Sequence, residues 1–259
     1  LSSSVNSDKK RLLVLIHSSN HFYHRYHFRH EVIVKDHLIK FILTKTFPCI
    51  MARMVAKKGF MHVVEIENIQ GPEDSKKMLA EAYYFIDCFR EDPEKLSSFI
   101  VIFKHPHYLD ENVFEETFWN VLKNLHRMDK NSYPHDPRVS SNPMDDNFSY
   151  SLKSEAFFIL ALHPKSPRWA RRFSAPAIVF NPHVQFEKLR HQGLFKRIRD
   201  IIRDRDKKLQ GDVNPMLNDF GEKSEIYQYL GKAYASGDPL PSTFYKRSHL
   251  QRRDETQIV

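Results

Sequence analysis

Ala177-Ile178-Val179-Phe180-Asn181-Pro182-His183-Val184-Gln185-Phe186-Glu187-Lys188-Leu189-Arg190 is the stretch that decides how this chain is read. Four consecutive apolar residues bounded by a turn signal read as a short buried strand. Asn181-Pro182 breaks that run. Phe186 and Leu189 then begin a helical pattern that continues through Ile198, Ile201, Ile202 and Leu209, all expected to face inward. The expected helix runs from about Gln185 to Leu209, with a break allowed near Gly193. A strand feeding a helix points to a mixed architecture, and the polar residues at the junction suit a site.

Working outward, Met61–Ile66 and Ser98–Phe103 read as strands, with Phe148–Leu152 and Ala156–Leu162 preceding the decisive one. Gly71-Pro72-Glu73-Asp74 opens a helix to about Arg90, with carboxylates in its first turn. Asp110–Met128 is amphipathic, placing Phe114, Phe118, Leu122, Leu125 and His126 on or near one face. A polar Pro/Asp/Ser/Asn loop spans Asp129–Asn147, and a last helix is expected around Ser224–Lys232. The expected fold is α/β (α+β): one domain with a mixed sheet of about five strands covered by helices. Residues 1–46 read as an irregular, His-rich leader, 47–232 as the domain, and 233–259 as a loosely structured tail.

Composition narrows the classes. The chain has 259 residues and only 7 Gly, and no Gly-rich phosphate-binding motif is present. Two cysteines, Cys49 and Cys88, exclude a disulfide framework and fit a cytoplasmic setting. No run reaches membrane-spanning length. Net charge is +8, yet residues 165–210 alone carry an excess of +9, so the basicity is regional and points to an anionic group. Nucleic acid ranks last among such partners, because aromatics are sparse in the most basic part. In the leader, His21, His24, His27 and His30 recur every third residue without acidic or Cys companions, a poor metal set.

Several motifs occur in order. Phe118-Trp119-x-x-Leu122-x-x-Leu125-His126-x-x-Asp129 is followed by Phe157-Phe158, His163-Pro164 and Arg171-Arg172-Phe173. Then come Phe180-Asn181-x-His183-x-Gln185-Phe186-Glu187-x-Leu189-Arg190 and Asn214-Pro215-Met216-Leu217-x-Asp219-Phe220-Gly221-Glu222-x-Ser224-Glu225. From Pro48 to about Lys232 the chain resembles the YqcI/YcgG family, including its haem-dependent N-hydroxylases of guanidino and amino compounds. It departs from the family at Pro48-Cys49-Ile50-Met51-Ala52, where the family has Pro-Cys-Pro-Phe-Ala, and at Lys153-Ser154, where the family has glycines.

The resemblance implies haem b, an amine or guanidino substrate, an electron donor and oxygen insertion on nitrogen. It leaves open a haem-binding or sensing protein without turnover, and a homodimer among the allowed assemblies. Such chemistry needs an axial ligand, cations for the propionates, an apolar slot and groups that control protons. His126 is the first choice of iron ligand, with Asp129 placed to orient it; His183, His163 and Cys49 follow. Arg171, Arg172 and Arg190 suit the propionates, with Arg168 in reserve and salt bridging to Glu187 as their plainer role. His183, Asn181 and Gln185 are expected to act on bound oxygen, with a turn or capping role as the alternative. Asp219, Glu222 and Glu225 are expected to face a cationic substrate, against a plainer role at the start of the last helix.

Overall fold

A computed structural model describes residues 34–69, 71–105 and 110–234. The chain divides into two units, Leu1–Phe41 and Ile42–Val259. A helix, α1, occupies residues 34–43, inside the stretch expected to be irregular. The four leader histidines and the tail from residue 235 onward lie outside the described residues.

All five expected strands are present, as β1 (Met61–Asn68), β2 (Ser98–His105), β3 (Tyr150–Leu152), β4 (Glu155–Leu162) and β5 (Ala177–Pro182). They form one mixed sheet in the order β1-β2-β5-β4-β3. β1 and β2 are parallel, as a crossover through a helix requires, and the remaining pairs are antiparallel. That crossover is α3 (Pro72–Glu91), which begins with proline at its first turn and Glu73 and Asp74 beside it. α4 (Glu111–Asp129) is capped by Asp110, whose carboxylate accepts the Asn112 N–H.

Period-two alternation assigns the two sheet faces. Phe99, Phe157 and Phe180 share one face, the Phe180 ring lying 5.3 Å from Phe99 and 5.9 Å from Phe157, and Phe85 of α3 packs onto them. Phe114, Phe118, Leu122 and Leu125 of α4 complete this core, as their spacing predicts. On the opposite face, Phe158 meets Phe186 of α5 (His183–His191) edge-on at 5.9 Å.

The long helix expected after β5 is two helices. Gly193, at φ +68°, separates α5 from α6 (Phe195–Gln210), because that left-handed conformation ends one helix before the next starts. Ile201 does not face inward: it is 39% exposed on the outer side of α6. The last expected helix shrinks to a single 3₁₀ turn, Glu225–Gln228. A short helix, α2 (Ile50–Lys57), completes the described elements; Cys49 caps it, its Sγ accepting the Ala52 N–H.

Candidate functional site

His183 is the first residue of α5, directly after the buried end of β5, and is 5% exposed. Its neighbours fix that position. Gln185 accepts the Ser97 N–H at 3.1 Å and donates to Ser97 O at 2.8 Å, tying α5 to the loop before β2. Asn181 Oδ1 accepts the Ser98 hydroxyl at 2.8 Å, and its amide donates to Phe158 O. Two of the three side chains expected to act on bound oxygen, Gln185 and Asn181, are thus engaged in holding the junction together.

The imidazole lies between two carboxylates. Nδ1 is 3.7 Å from Glu187 Oε1, one helical turn on, and Nε2 is 3.5 Å from Glu225 Oε1. Neither contact is a hydrogen bond at those distances, and Nε2 is buried with no hydrogen-bond partner. Glu187 is in turn paired with Arg190. Phe220 meets the imidazole edge-on at 4.3 Å, and Phe186 lies at 6.4 Å. Arg190 stacks over Phe195 and lies 5.8 Å from the Phe220 ring.

Glu225 comes from a segment that fills a vacant edge. β3 pairs only with the first three residues of β4, so beyond Phe157 the β4 edge needs other partners. The 224–230 stretch supplies one: Ala161 N–H donates to Tyr229 O at 2.8 Å, while Tyr150 of β3 donates its N–H to the Tyr229 hydroxyl. Ser149 Oγ lies 3.1 Å from Phe157 O and 2.9 Å from Glu225 Oε2, fixing the carboxylate beside His183. Ser224 Oγ and Trp119 Nε1, both on residues against this segment or in it, are likewise buried without a partner.

The other expected residues lie elsewhere. His126 is half-buried, and burial lowers its pKa, helped by nearby His135. Asp129 acts on it electrostatically, and its Oδ1 accepts the Tyr83 hydroxyl and the Lys153 N–H. His163 stacks on Phe114 at 4.4 Å, about 18 Å from His126 along α4 at 1.5 Å per residue. Its Nδ1 accepts the Lys165 N–H at 3.2 Å, which puts the proton on Nε2 and leaves no lone pair for a metal. Burial pushes its pKa down to about 4. Burial likewise raises the Cys49 thiol.

The arginines are engaged with the protein. Arg171 donates to the carbonyls of Ala161, Gln228 and Tyr229. Arg172 donates through Nε to Ser166 O and stacks on Trp169 at 4.2 Å. Arg168 is buried between Asp206 and Asp212. Asp219 pairs with Arg199 and Arg203, and Glu222 accepts the Asp219 N–H. Of the three expected substrate carboxylates, only Glu225 reaches His183. Among the described residues no group of three or more His, Cys, Asp or Glu side chains is arranged to hold a metal ion. No helix among them is long and apolar enough to cross a membrane.

Sequence reasoning missed Ser149 as a partner of Glu225, and Phe220 as a wall. Glu187 carried a legible signal, four residues after His183 on one helix face.

The fold defines a mixed α/β protein with one buried, carboxylate-flanked imidazole at a strand-to-helix junction. The YqcI/YcgG family model matches residues 38–242, and the chain belongs to that family. No curated protein and no solved structure matches it.

Proposed function

We propose that this chain is a haem-dependent N-oxygenase, hydroxylating an amine or guanidine nitrogen of an amino-acid-like molecule. Family membership and the resemblance to the family's N-hydroxylases support the reaction class. One observation carries the choice of centre: His183 Nε2 is buried without a hydrogen bond, beside the Phe220 ring, with the Glu225 carboxylate 3.5 Å away. An unsatisfied buried nitrogen costs about 1–3 kcal/mol, so a ligand for it is expected.

The residues fit the group at this point better than at His126 or His163. A metal-binding imidazole characteristically directs its other nitrogen at a carboxylate, and Glu187, held by Arg190, stands beside Nδ1. With the Glu225 carboxylate turned aside from Nε2, His183 would hold the iron of haem b, Phe186 and Phe220 would line the apolar slot, and Arg190 would supply a cation at its rim. Haem, when bound and reduced, supplies the activated oxygen. Glu225 presents a buried carboxylate to a cationic nitrogen, and Ser149 keeps it in place. Gln185 and Asn181 hold the junction so that the imidazole does not swing away.

The test is expression with iron and a haem precursor, followed by absorption spectroscopy and assay of amine and guanidine substrates with a reductant and dioxygen. A Soret band that is lost in His183→Ala and kept in His126→Ala and His163→Ala is the expected result. Absence of the band, or its persistence in His183→Ala, overturns the reading. A band without turnover would leave a haem-binding or sensing protein and remove the oxygenase.

A further inference from the structure

α6 carries an outer face that the fold does not use. Leu194 just before the helix is 44% exposed and Ile201 at its middle is 39% exposed, where a solvated helix would be expected to carry polar groups. Ile201 lies in a shallow depression lined also by Gly193, Lys196, Arg197, Asp200 and Asp204.

The charges on this face have a definite order. Positions 197, 201, 204 and 208 recur at helical spacing along one stripe, reading Arg, Ile, Asp, Lys. The inner charges of α6 are engaged: Arg199 and Arg203 with Asp219, Arg205 with the Lys45, Phe47 and Pro48 carbonyls, and Asp206 with Arg168. On the outer stripe Asp204 has only the exposed Lys208, a pair of negligible worth.

We infer that the outer face of α6 is a self-association surface, on which two copies of this chain pair antiparallel about a two-fold axis between residues 200 and 201. A two-fold contact is self-complementary, so each residue must meet what its own sequence offers at the mirrored position. About this axis Ile201 meets Asp200 and Ile201 of the second copy, and Arg197 meets Asp204. The ion pair forms twice, about 5 Å to either side of the centre at 1.5 Å per residue. Gly193, without a side chain, stands opposite Lys208. A second copy thus covers Ile201 and gives Arg197 and Asp204 each an opposite charge.

One four-turn helix buries on the order of 500 Å² in such a contact, below the roughly 1,200 Å² of stable complexes, so the dimer is weak and reversible. It does not depend on haem.

The experiment is sedimentation of the full chain from about 5 to about 500 micromolar, a range suited to a small interface. The wild type is expected to shift from monomer toward dimer. Arg197→Asp and Asp204→Arg each place like charges together twice, and each is expected to weaken association about tenfold or more. Mixing these two variants restores opposite charges at both positions, so a heterodimer of near wild-type strength is expected. Arg197→Asp/Asp204→Arg in one chain is expected to dimerise likewise, and Ile201→Lys to remain monomeric. A chain that stays monomeric throughout overturns the inference. So does a dimer indifferent to the single variants, or a mixture that fails to pair. All the substituted residues are at the surface, and circular dichroism confirms that the variants are folded.

Discussion

Arg171 Nη1 donates to the Tyr229 carbonyl at 3.1 Å and to the Ala161 carbonyl at 3.3 Å, so one guanidinium joins β4 to the segment that carries Glu225. Burial pushes the Arg171 pKa down to about 10, which leaves it charged at neutral pH. Its cost of burial is offset by three carbonyl partners.

Arg171→Met removes those donors while keeping most of the volume. A loss of about 2–4 kcal/mol in urea unfolding is expected, because buried carbonyls lose their partners. Arg171→Lys should recover little of it, since an ammonium cannot span three acceptors with a planar fork. Hydrogen exchange should accelerate within 224–230 and stay slow in β1 and β2. Equal acceleration throughout would show that Arg171 supports the whole fold rather than this segment.

Arg168 and Asp206 form a buried pair at 2.5 Å, with Asp212 closing the other side. Arg168→Ala strands the Asp206 charge inside, and a loss of about 3–5 kcal/mol is expected. Replacing both by apolar residues of similar size, as Arg168→Met with Asp206→Leu, should return to within about 2 kcal/mol of wild type. Additive losses in the double-mutant cycle would contradict this account of the pair.

His163 gives stability a pH dependence of definite sign. Its folded pKa of about 4 lies below the usual imidazole value, so between about pH 6.5 and pH 4 the unfolded chain binds a proton that the folded chain refuses. Stability is therefore present above that window and lost as pH falls through it, by about 2–3 kcal/mol. Burial shifts His126 and His135 in the same direction, whereas Asp129, raised by burial, opposes them. His163→Phe preserves stacking on Phe114 and removes the titration. The variant should show a visibly flatter stability profile between pH 6.5 and 4, and an unchanged slope would remove His163 as its source.

Much of the fold was legible because strand and helix periods are local properties. β2 and β5 are apolar runs, and α4 shows its buried face in Phe114, Phe118, Leu122 and Leu125. α6 was misread at Ile201, since a periodic pattern reports which residues could be buried and not whether anything lies over them. The site was legible in part. His183 stood out by its place at the strand-to-helix turn, but Glu225 faces it across 42 positions, and no spacing rule joins residues that far apart. The arginines were recognised as a cluster, while their partners are backbone carbonyls, which the sequence does not distinguish. Acceptors of that kind become visible only when the β4 edge and the 224–230 segment are seen together.

The β3–β4 turn holds a local strain. Lys153 and Ser154 adopt φ +49° and +55°, a left-handed pair for which glycine or asparagine is preferred. Surrounding contacts hold them there. Lys153 N–H donates to Asp129, Lys153 Nζ pairs with Asp87, and Arg90 donates to both turn carbonyls. Each left-handed side chain costs roughly 1–2 kcal/mol; Lys153 Nζ, beside Asp87 and over the Tyr83 and Tyr133 rings, returns part of this, and the exposed Ser154 hydroxyl bond to Pro134 O returns little. Lys153→Asn with Ser154→Gly should therefore stabilise the protein by about 0.5–1 kcal/mol in urea unfolding, with the slope of the transition unchanged. Destabilisation by the double variant would show that these side-chain contacts, and not backbone preference, decide the turn.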